Sequence, residues 1–298
     1  MKLSEINWIN NNVKIVKDGE FESLGLVVSE THNKLLCFVE KEKYLINIPE
    51  NVTCLICPET IANKIPSKYG ILVCKSPRIE FFKLHNYLCE QSDNYYSKKQ
   101  NKFIGNNCSI SEKAVISESG VNIGNNVIIE DNVVIRENVT IGDNSIIRAG
   151  TVIGGNGFEF KRCEDNTILK VEHCGGVVIG ENVEIQYNTC IDKALYPWDN
   201  TMIGDYSKLD NLIYIAHGVK IGKRCLIAAN ATIGGRTLLG DDSWVGLSAT
   251  IRNGLKIGNG ASINMGAVVT QDIEDGLSVS GNFAINHDDF IKYIKTIK

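Results

Sequence analysis

The chain of 298 residues lacks any run of eighteen consecutive apolar residues, so no membrane-spanning helix is expected. It also lacks an excess of basic charge. Lys and Arg number 31 against 35 Asp and Glu, a net charge of −4, which argues against a nucleic-acid partner because phosphate binding needs clustered cations. The opening Met1-Lys2-Leu3-Ser4-Glu5 has none of the apolar core of a secretory signal, so the cytoplasm is the expected compartment. Cysteine is not scarce, with ten residues, but a second CxxC is missing, and the length and absent leader do not suggest a disulfide scaffold. The single CxxC, Cys54 and Cys57 within Val52-Thr53-Cys54-Leu55-Ile56-Cys57, reads as two small apolar residues of a buried strand; half a zinc site or a redox pair is the other reading. Histidine is sparse: His32, His85, His173, His217 and His287. The remaining composition, 43% hydrophobic and 22% charged, is that of an ordinary globular protein with one large or two ordinary domains.

Residues 1–103 carry no repeat. Gly25–Val28, Lys34–Val39 and Gly70–Cys74 are short apolar runs between polar or turn residues and read as strands. Met1–Asn10 and Ile79–Leu88 read as helices. In the second, Phe81, Leu84 and Leu88 fall at helical spacing behind Pro77. The polar stretch Glu90–Lys102 reads as a linker. This predicts a small α/β domain. Phe38 and Tyr44 read from spacing alone as one core and one surface aromatic.

Beyond it the chain steps by six. Ile203, Leu209, Ile215, Ile221, Ile227, Ile233, Leu239, Val245, Ile251, Ile257, Ile263 and Val269 form one series, and Ile123 to Ile153 form an earlier one. Neither the 3.6 period of a helix nor the period of two of a strand explains this step. Asn or Gly recurs three residues after many apolar positions, as at Asn126, Asn132, Gly150, Gly218, Asn230 and Gly254, where a corner needs positive φ. A small or β-branched residue follows one place later. Each hexad is one short strand and one corner, and three make a coil. This is the signature of a hexapeptide β-helix. The predicted layout is an α/β domain over 1–103, a parallel β-helix over 104–276, and a tail with a short helix over 277–298.

Two stretches interrupt the rod. Residues 154–178 break the step. Residues 192–202 keep the count but not the character, with Pro197 in an apolar slot of Ala194-Leu195-Tyr196-Pro197-Trp198. Both are candidate binding loops or tolerated surface insertions. His217 lies two residues after Ile215, at a corner, where a side chain points away from the core. A near-neutral imidazole there can take a proton from an attacking amine, or it is an exposed corner residue. One coil is eighteen residues, so Gly235 stacks on His217 and offers an uncovered N–H to an oxyanion, or is a plain turn. Asp192 and Asp210 either orient the site or are solvated corner acids.

With Gly154-Gly155-Asn156-Gly157-Phe158, Val178–Ile185, Thr189-Cys190-Ile191-Asp192 and Asp210-Asn211-Leu212-Ile213-Tyr214-Ile215-Ala216-His217-Gly218-Val219, the sequence resembles the UDP-3-O-acylglucosamine N-acyltransferases of lipid A synthesis and relatives that N-acylate nucleotide-linked amino sugars. The resemblance implies a left-handed β-helix and a homotrimer with sites between neighbouring rods. It implies His217 as general base and Gly235 N–H as oxyanion donor, and places Phe38 and Tyr44 where the family sandwiches the nucleotide base. Phe158, Asp192, Asn211, Tyr196 and Trp198 are the further substrate-binding candidates. Two departures matter. Only a short helix, His287–Ile297, follows the rod where the lipid A enzymes carry a longer helical extension that helps hold acyl carrier protein. Thr250–Lys256 also holds no counterpart of their second histidine. Both point to acyl-CoA, acetyl-CoA first, as co-substrate, with Arg236, Arg252 and Lys256 either meeting its phosphates or lying as solvated charge. No metal is required. The expected activity is N-acetyl or short-chain N-acyl transfer to a nucleotide-linked amino sugar. The alternative is the lipid A N-acyltransferase using acyl carrier protein.

Overall fold

The computed structural model describes residues 1–6, 12–29, 31–97, 101–281, 284 and 286–296. They form two compact units. The first comprises Met1–Gln100, Asn156–Gly176 and Lys193–Asn200, and the second Asn101–Gly155, Val177–Asp192 and Thr201–Lys298.

In the first unit, strands β1 (Val13–Lys17), β2 (Ser23–Leu24), β3 (Leu35–Phe38), β4 (Val52–Cys57) and β5 (Gly70–Cys74) form one sheet in the order β1-β5-β4-β3-β2. Only β1 runs antiparallel to its neighbour. Helix α1 is short (Glu59–Ala62), and α2 spans Pro77–Gln91. Pro77 occupies its first turn, where the missing N–H costs nothing. Its apolar face, Phe81, Leu84 and Leu88, packs with Leu36, Ile56 and Leu72 of the sheet. Cys54 and Cys57 are buried, and burial pushes both thiols up to about 11, as suits apolar strand residues. Three expectations need correction. Gly25–Val28 is a turn following β2, not a strand. Of Met1–Asn10, only Leu3–Glu5 is helical, a single 3₁₀ turn, and 7–10 lie outside the described residues. The expected linker is not all linker: α2 runs on to Gln91, and Tyr95 is buried, its hydroxyl 2.7 Å from His85 Nδ1.

The interruption at 156–176 folds as an antiparallel hairpin, Phe160–Arg162 against Ile168–Lys170. Asn86 of α2 clamps it from both sides of its amide: Nδ2 donates to Lys170 O (2.7 Å) and Oδ1 accepts from Glu172 N (2.9 Å). His85 Nε2 is 2.9 Å from Glu172 O, and Cys89 and Cys174 form a disulfide. Among ten cysteines this one bond links the helix to the hairpin, which the sequence did not suggest.

The second unit is the β-helix. Its strands form three parallel sheets of nine, eight and eight strands. Through the later coils each residue pairs with the one eighteen along: Tyr214 with Thr232, Ile215 with Ile233, Ile233 with Ile251. The apolar series fills the interior, with Ile215, Ile233 and Ile251 at most 1% exposed. Each such burial contributes roughly 1.5–3 kcal/mol. The buried hydroxyls between them are satisfied by carbonyls of the next coil, as Ser207 Oγ is by Gly222 O (2.9 Å). Asn126, Asn132, Gly150, Gly218, Asn230 and Gly254 all have positive φ. So do Tyr206, Leu212, Arg224, Arg236, Asp242 and Ser248 at the same corner, where coil pairing overrides residue preference.

One correction to the rod bears on the site. Across 192–202 the step is not kept. Ile185 pairs with Leu209 and Ile191 with Ile215, twenty-four residues along, so a hexad is looped out and Pro197 fills no core slot. Helix α3, His287–Thr296, follows the rod with none of its side chains buried. Among the described residues no helix is long and apolar enough to cross a membrane.

Candidate active site

His217 sits at a corner of the rod, between the strand Tyr214–Ile215 and Gly218, whose φ of 69° turns the chain into the next strand. The corner is not open. His217 is only 8% exposed, so the alternative of an exposed corner residue does not hold. The backbone around it is pinned. Ala216 N–H donates to Ile233 O (3.1 Å), His217 O accepts from Arg236 N–H (3.0 Å), and Gly218 N–H donates to Thr201 Oγ1 (2.9 Å).

The next coil brings Gly235 directly onto the imidazole. A Cβ at position 235 would lie 2.8 Å from His217 Nε2 and 2.9 Å from Cε1, closer than real side chains approach. Glycine is required here by contact with the ring, since its φ is not positive. Its neighbours Gly234 and Arg236 spend their N–H groups on Ile251 O and His217 O. Gly235 N–H donates to no acceptor among the described residues. An imidazole beside an unspent backbone N–H is the pairing that acyl transfer to an amine needs: one group takes a proton, the other receives a developing oxyanion.

Asp192 is an acid brought to this corner, and its charge interacts with that of His217. It ends the strand Cys190–Asp192, is 8% exposed, and accepts a bond from Tyr214 Oη at 2.6 Å. Burial holds its carboxyl above the usual carboxylate range, while the Tyr214 bond and the charge of His217 oppose that. Tyr214 is likewise pushed above its ordinary range, by burial and by the carboxylate it serves. Asp210, the other acid, is spent on the fold: Oδ1 accepts from Asn211 N and Nδ2, and Oδ2 from Ala229 N. Asn211 is committed likewise, its Oδ1 accepting from Tyr187 N–H at 3.2 Å. Its side chain therefore shapes a corner rather than presenting itself to a substrate.

The remaining candidates divide. In the first unit Phe38 packs on Phe81 and Phe82 (centroids 5.1 and 6.2 Å), while Tyr44 is 52% exposed in the 3₁₀ turn Glu42–Leu45. Phe158 is 83% exposed with Phe160 at its edge. Tyr196 and Trp198 are not a surface pair. Their rings stack at 5.6 Å, Tyr196 is buried against Phe81 and His85, and Trp198 Nε1 donates to Leu24 O (2.9 Å). The apolar run Ala194-Leu195-Tyr196 is core of the first unit rather than an exposed loop, because it has no other way to bury its side chains. In the second unit Arg252 and Lys256 are exposed, and Arg236 is half-buried at positive φ.

Sequence reading missed two residues at this corner, Thr201 and Tyr214. The missing signal was the looped-out hexad. With an unbroken step Asp192 would stack on Asp210. With the longer coil it faces Ala216 and the histidine.

Residues 120–155 and 200–235 match the bacterial transferase hexapeptide repeat, and 236–271 the hexapeptide repeat of succinyl-transferase. The chain is 36% identical over 140 residues to the UDP-3-O-acylglucosamine N-acyltransferase of Delftia acidovorans, covering 47% of this chain and 41% of that one. It is 39% identical over 152 residues to UDP-3-O-acylglucosamine N-acyltransferase 2 of Legionella pneumophila, covering 51% and 43%. With UDP-3-O-acylglucosamine N-acyltransferase 1 of Francisella tularensis it shares 50% over 84 residues, 28% and 24% of the two chains. It thus spans less than half the length of these relatives. Among solved structures, the UDP-N-acetylglucosamine acyltransferase of Campylobacter jejuni aligns with a TM-score of 0.55 at 26% identity, over 67% of this chain and 80% of that one. The matched repeats make the second unit a hexapeptide-repeat β-helix, and over about half of the chain its sequence is similar to the UDP-3-O-acylglucosamine N-acyltransferases.

Proposed function

We propose that the protein is an N-acyltransferase that moves an acyl group from a thioester to the amine of a nucleotide-linked amino sugar. The observation that carries this is the His217 ring packed against the Cα of Gly235, whose own N–H donates to no acceptor among the described residues. The amine nitrogen attacks the thioester carbonyl carbon. The C–N bond forms as the oxyanion meets Gly235 N–H, and the amine proton passes to His217. The C–S bond then breaks, and the proton leaves with the thiolate as free thiol. The expected gain from the base alone is about 10²–10⁴-fold.

The relatives' names favour a UDP-linked 3-O-acylated glucosamine as acceptor, the reading that the sequence alone placed second. Short-chain transfer from acetyl-CoA is the second reading, supported by the absence of a histidine in 250–256 and by exposed Arg252 and Lys256. In either case Phe38 and Tyr44 are the residues for the nucleotide base, and a homotrimer is the working assembly. A donor-by-acceptor matrix tests the choice. Acetyl-CoA and hydroxyacyl-acyl carrier protein are each paired with UDP-3-O-acylglucosamine and with unacylated UDP- and dTDP-amino sugars, and the products are weighed by mass spectrometry. An amide product with UDP-3-O-acylglucosamine supports the first reading, and acetylation of an unacylated sugar the second. No amide from any pair overturns both and leaves a β-helical binding scaffold. Sedimentation as a stable monomer contradicts the trimer.

A further inference from the structure

We infer that Tyr214 and Thr201 are positioning residues that hold the Asp192 carboxylate as the charge partner of His217, so that Asp192 serves the base and not the sugar. The inference rests on His217 acting as the general base.

The register places the three together. Cys190 pairs with Tyr214 and Ile191 with Ile215, so Asp192 lies opposite Ala216, one residue before the imidazole. A carboxylate that is 8% exposed needs a donor, because a buried, unpaired charge is costly. Tyr214 supplies it: its hydroxyl donates to Oδ2 at 2.6 Å, in the range of a strong charge-assisted bond. Beside the other oxygen, Oδ1, the structure sets a glycine: a Cβ at Gly155 would be 3.5 Å away.

Thr201 fixes the backbone. Its hydroxyl is fully buried, donates to Asp192 O (2.6 Å) and accepts from Gly218 N–H (2.9 Å). One oxygen therefore ties the strand bearing the carboxylate to the residue just after the imidazole. Serine can do this and valine cannot. The titratable groups set against Asp192 are Tyr214 and His217, with Cys190 alongside. His217 is the cation-forming member of this set. When it takes the amine proton, the imidazolium forms next to an anion already in place, with no reorganisation.

The test compares Asp192→Asn, Tyr214→Phe, Thr201→Val, Thr201→Ser and His217→Ala in the full chain, with melting curves to confirm folding. Asp192→Asn should lower kcat about 10–10²-fold with the acceptor KM unchanged. It should also move the acidic limb of the pH–rate profile down by about one unit, because an amide no longer favours the imidazolium. Tyr214→Phe should move both in the same direction by less. Thr201→Val should lose kcat, and Thr201→Ser should recover it. If Asp192→Asn raises the acceptor KM and leaves kcat and the acidic limb in place, Asp192 is a sugar ligand and the inference fails. A folded Tyr214→Phe with wild-type kcat and limb also overturns it, even if Asp192→Asn does not fold. An active His217→Ala is a different failure, of the proposed base itself.

Discussion

Replacing Gly235 by alanine separates the place of the imidazole from the presence of the oxyanion donor, because alanine keeps the backbone N–H. Ordinary contact begins at about 3.4 Å, and the new Cβ would stand 2.8 Å from His217 Nε2, so the ring must retreat by roughly 0.6 Å. Displacement of a reacting group by about 1 Å costs on the order of 10²-fold in rate. The expected fall in kcat is therefore about 10–10²-fold, or about 1.4–2.8 kcal/mol of transition-state stabilisation. The fold should tolerate the change. Gly235 does not sit at positive φ, and alanine loses less backbone entropy on folding, about 0.4–1 kcal/mol in its favour. The assay is steady-state kinetics on the purified variant beside a melting curve. A folded Gly235→Ala with wild-type kcat would refute the claim that the ring against this glycine is the working base.

Three further outcomes follow from the structure. His85 is held at about 4 by burial, below the ordinary histidine range near 6.5, so its charged form favours the unfolded chain. Its neutral burial is fully tolerated above pH 6.5 and costs up to about 3 kcal/mol as pH falls towards 4; an imidazole titration by NMR near 6.5 would contradict this. The Cys89–Cys174 bond closes a loop of 85 residues, so Cys89→Ser should cost up to about 4.6 kcal/mol by chain entropy, read by urea unfolding. Eight alkylated cysteines in the unreduced, denatured chain are expected, and ten would contradict the bond. Leu212 is exposed at φ 58°, a conformation that suits asparagine, so Leu212→Asn should gain about 0.5–1 kcal/mol, read as a raised melting temperature.

The rod was legible because three sequence columns repeat the same physical demand. An apolar residue fills the interior, a small residue sits beside it, and Asn or Gly turns the corner. The His217–Gly235 contact followed from that count, since the two lie one coil apart in the unbroken part of the rod. What was not legible depends on where chain is looped out. Pro197 fell into the six-residue count by coincidence, which hid that Asp192 lies opposite Ala216, beside His217, and that Thr201 bridges Asp192 and Gly218. In the first unit the strand Val13–Lys17 escaped notice because it alternates weakly, with three lysine or valine side chains exposed. Tyr95 lay in a polar stretch that reads as a linker, and Tyr196 in a stretch that reads as a binding loop or a surface insertion. Both are buried against His85, a long-range contact that no local pattern encodes.

The central claim is that His217 removes the proton from an attacking amine. Free-thiol release from a thioester donor, with and without an amino-sugar acceptor, tests it most directly in wild type and His217→Ala. The account predicts release that requires the acceptor and falls by about 10²–10⁴-fold in the variant while the fold and acceptor binding persist. Acceptor-dependent release at the wild-type rate from His217→Ala would contradict it.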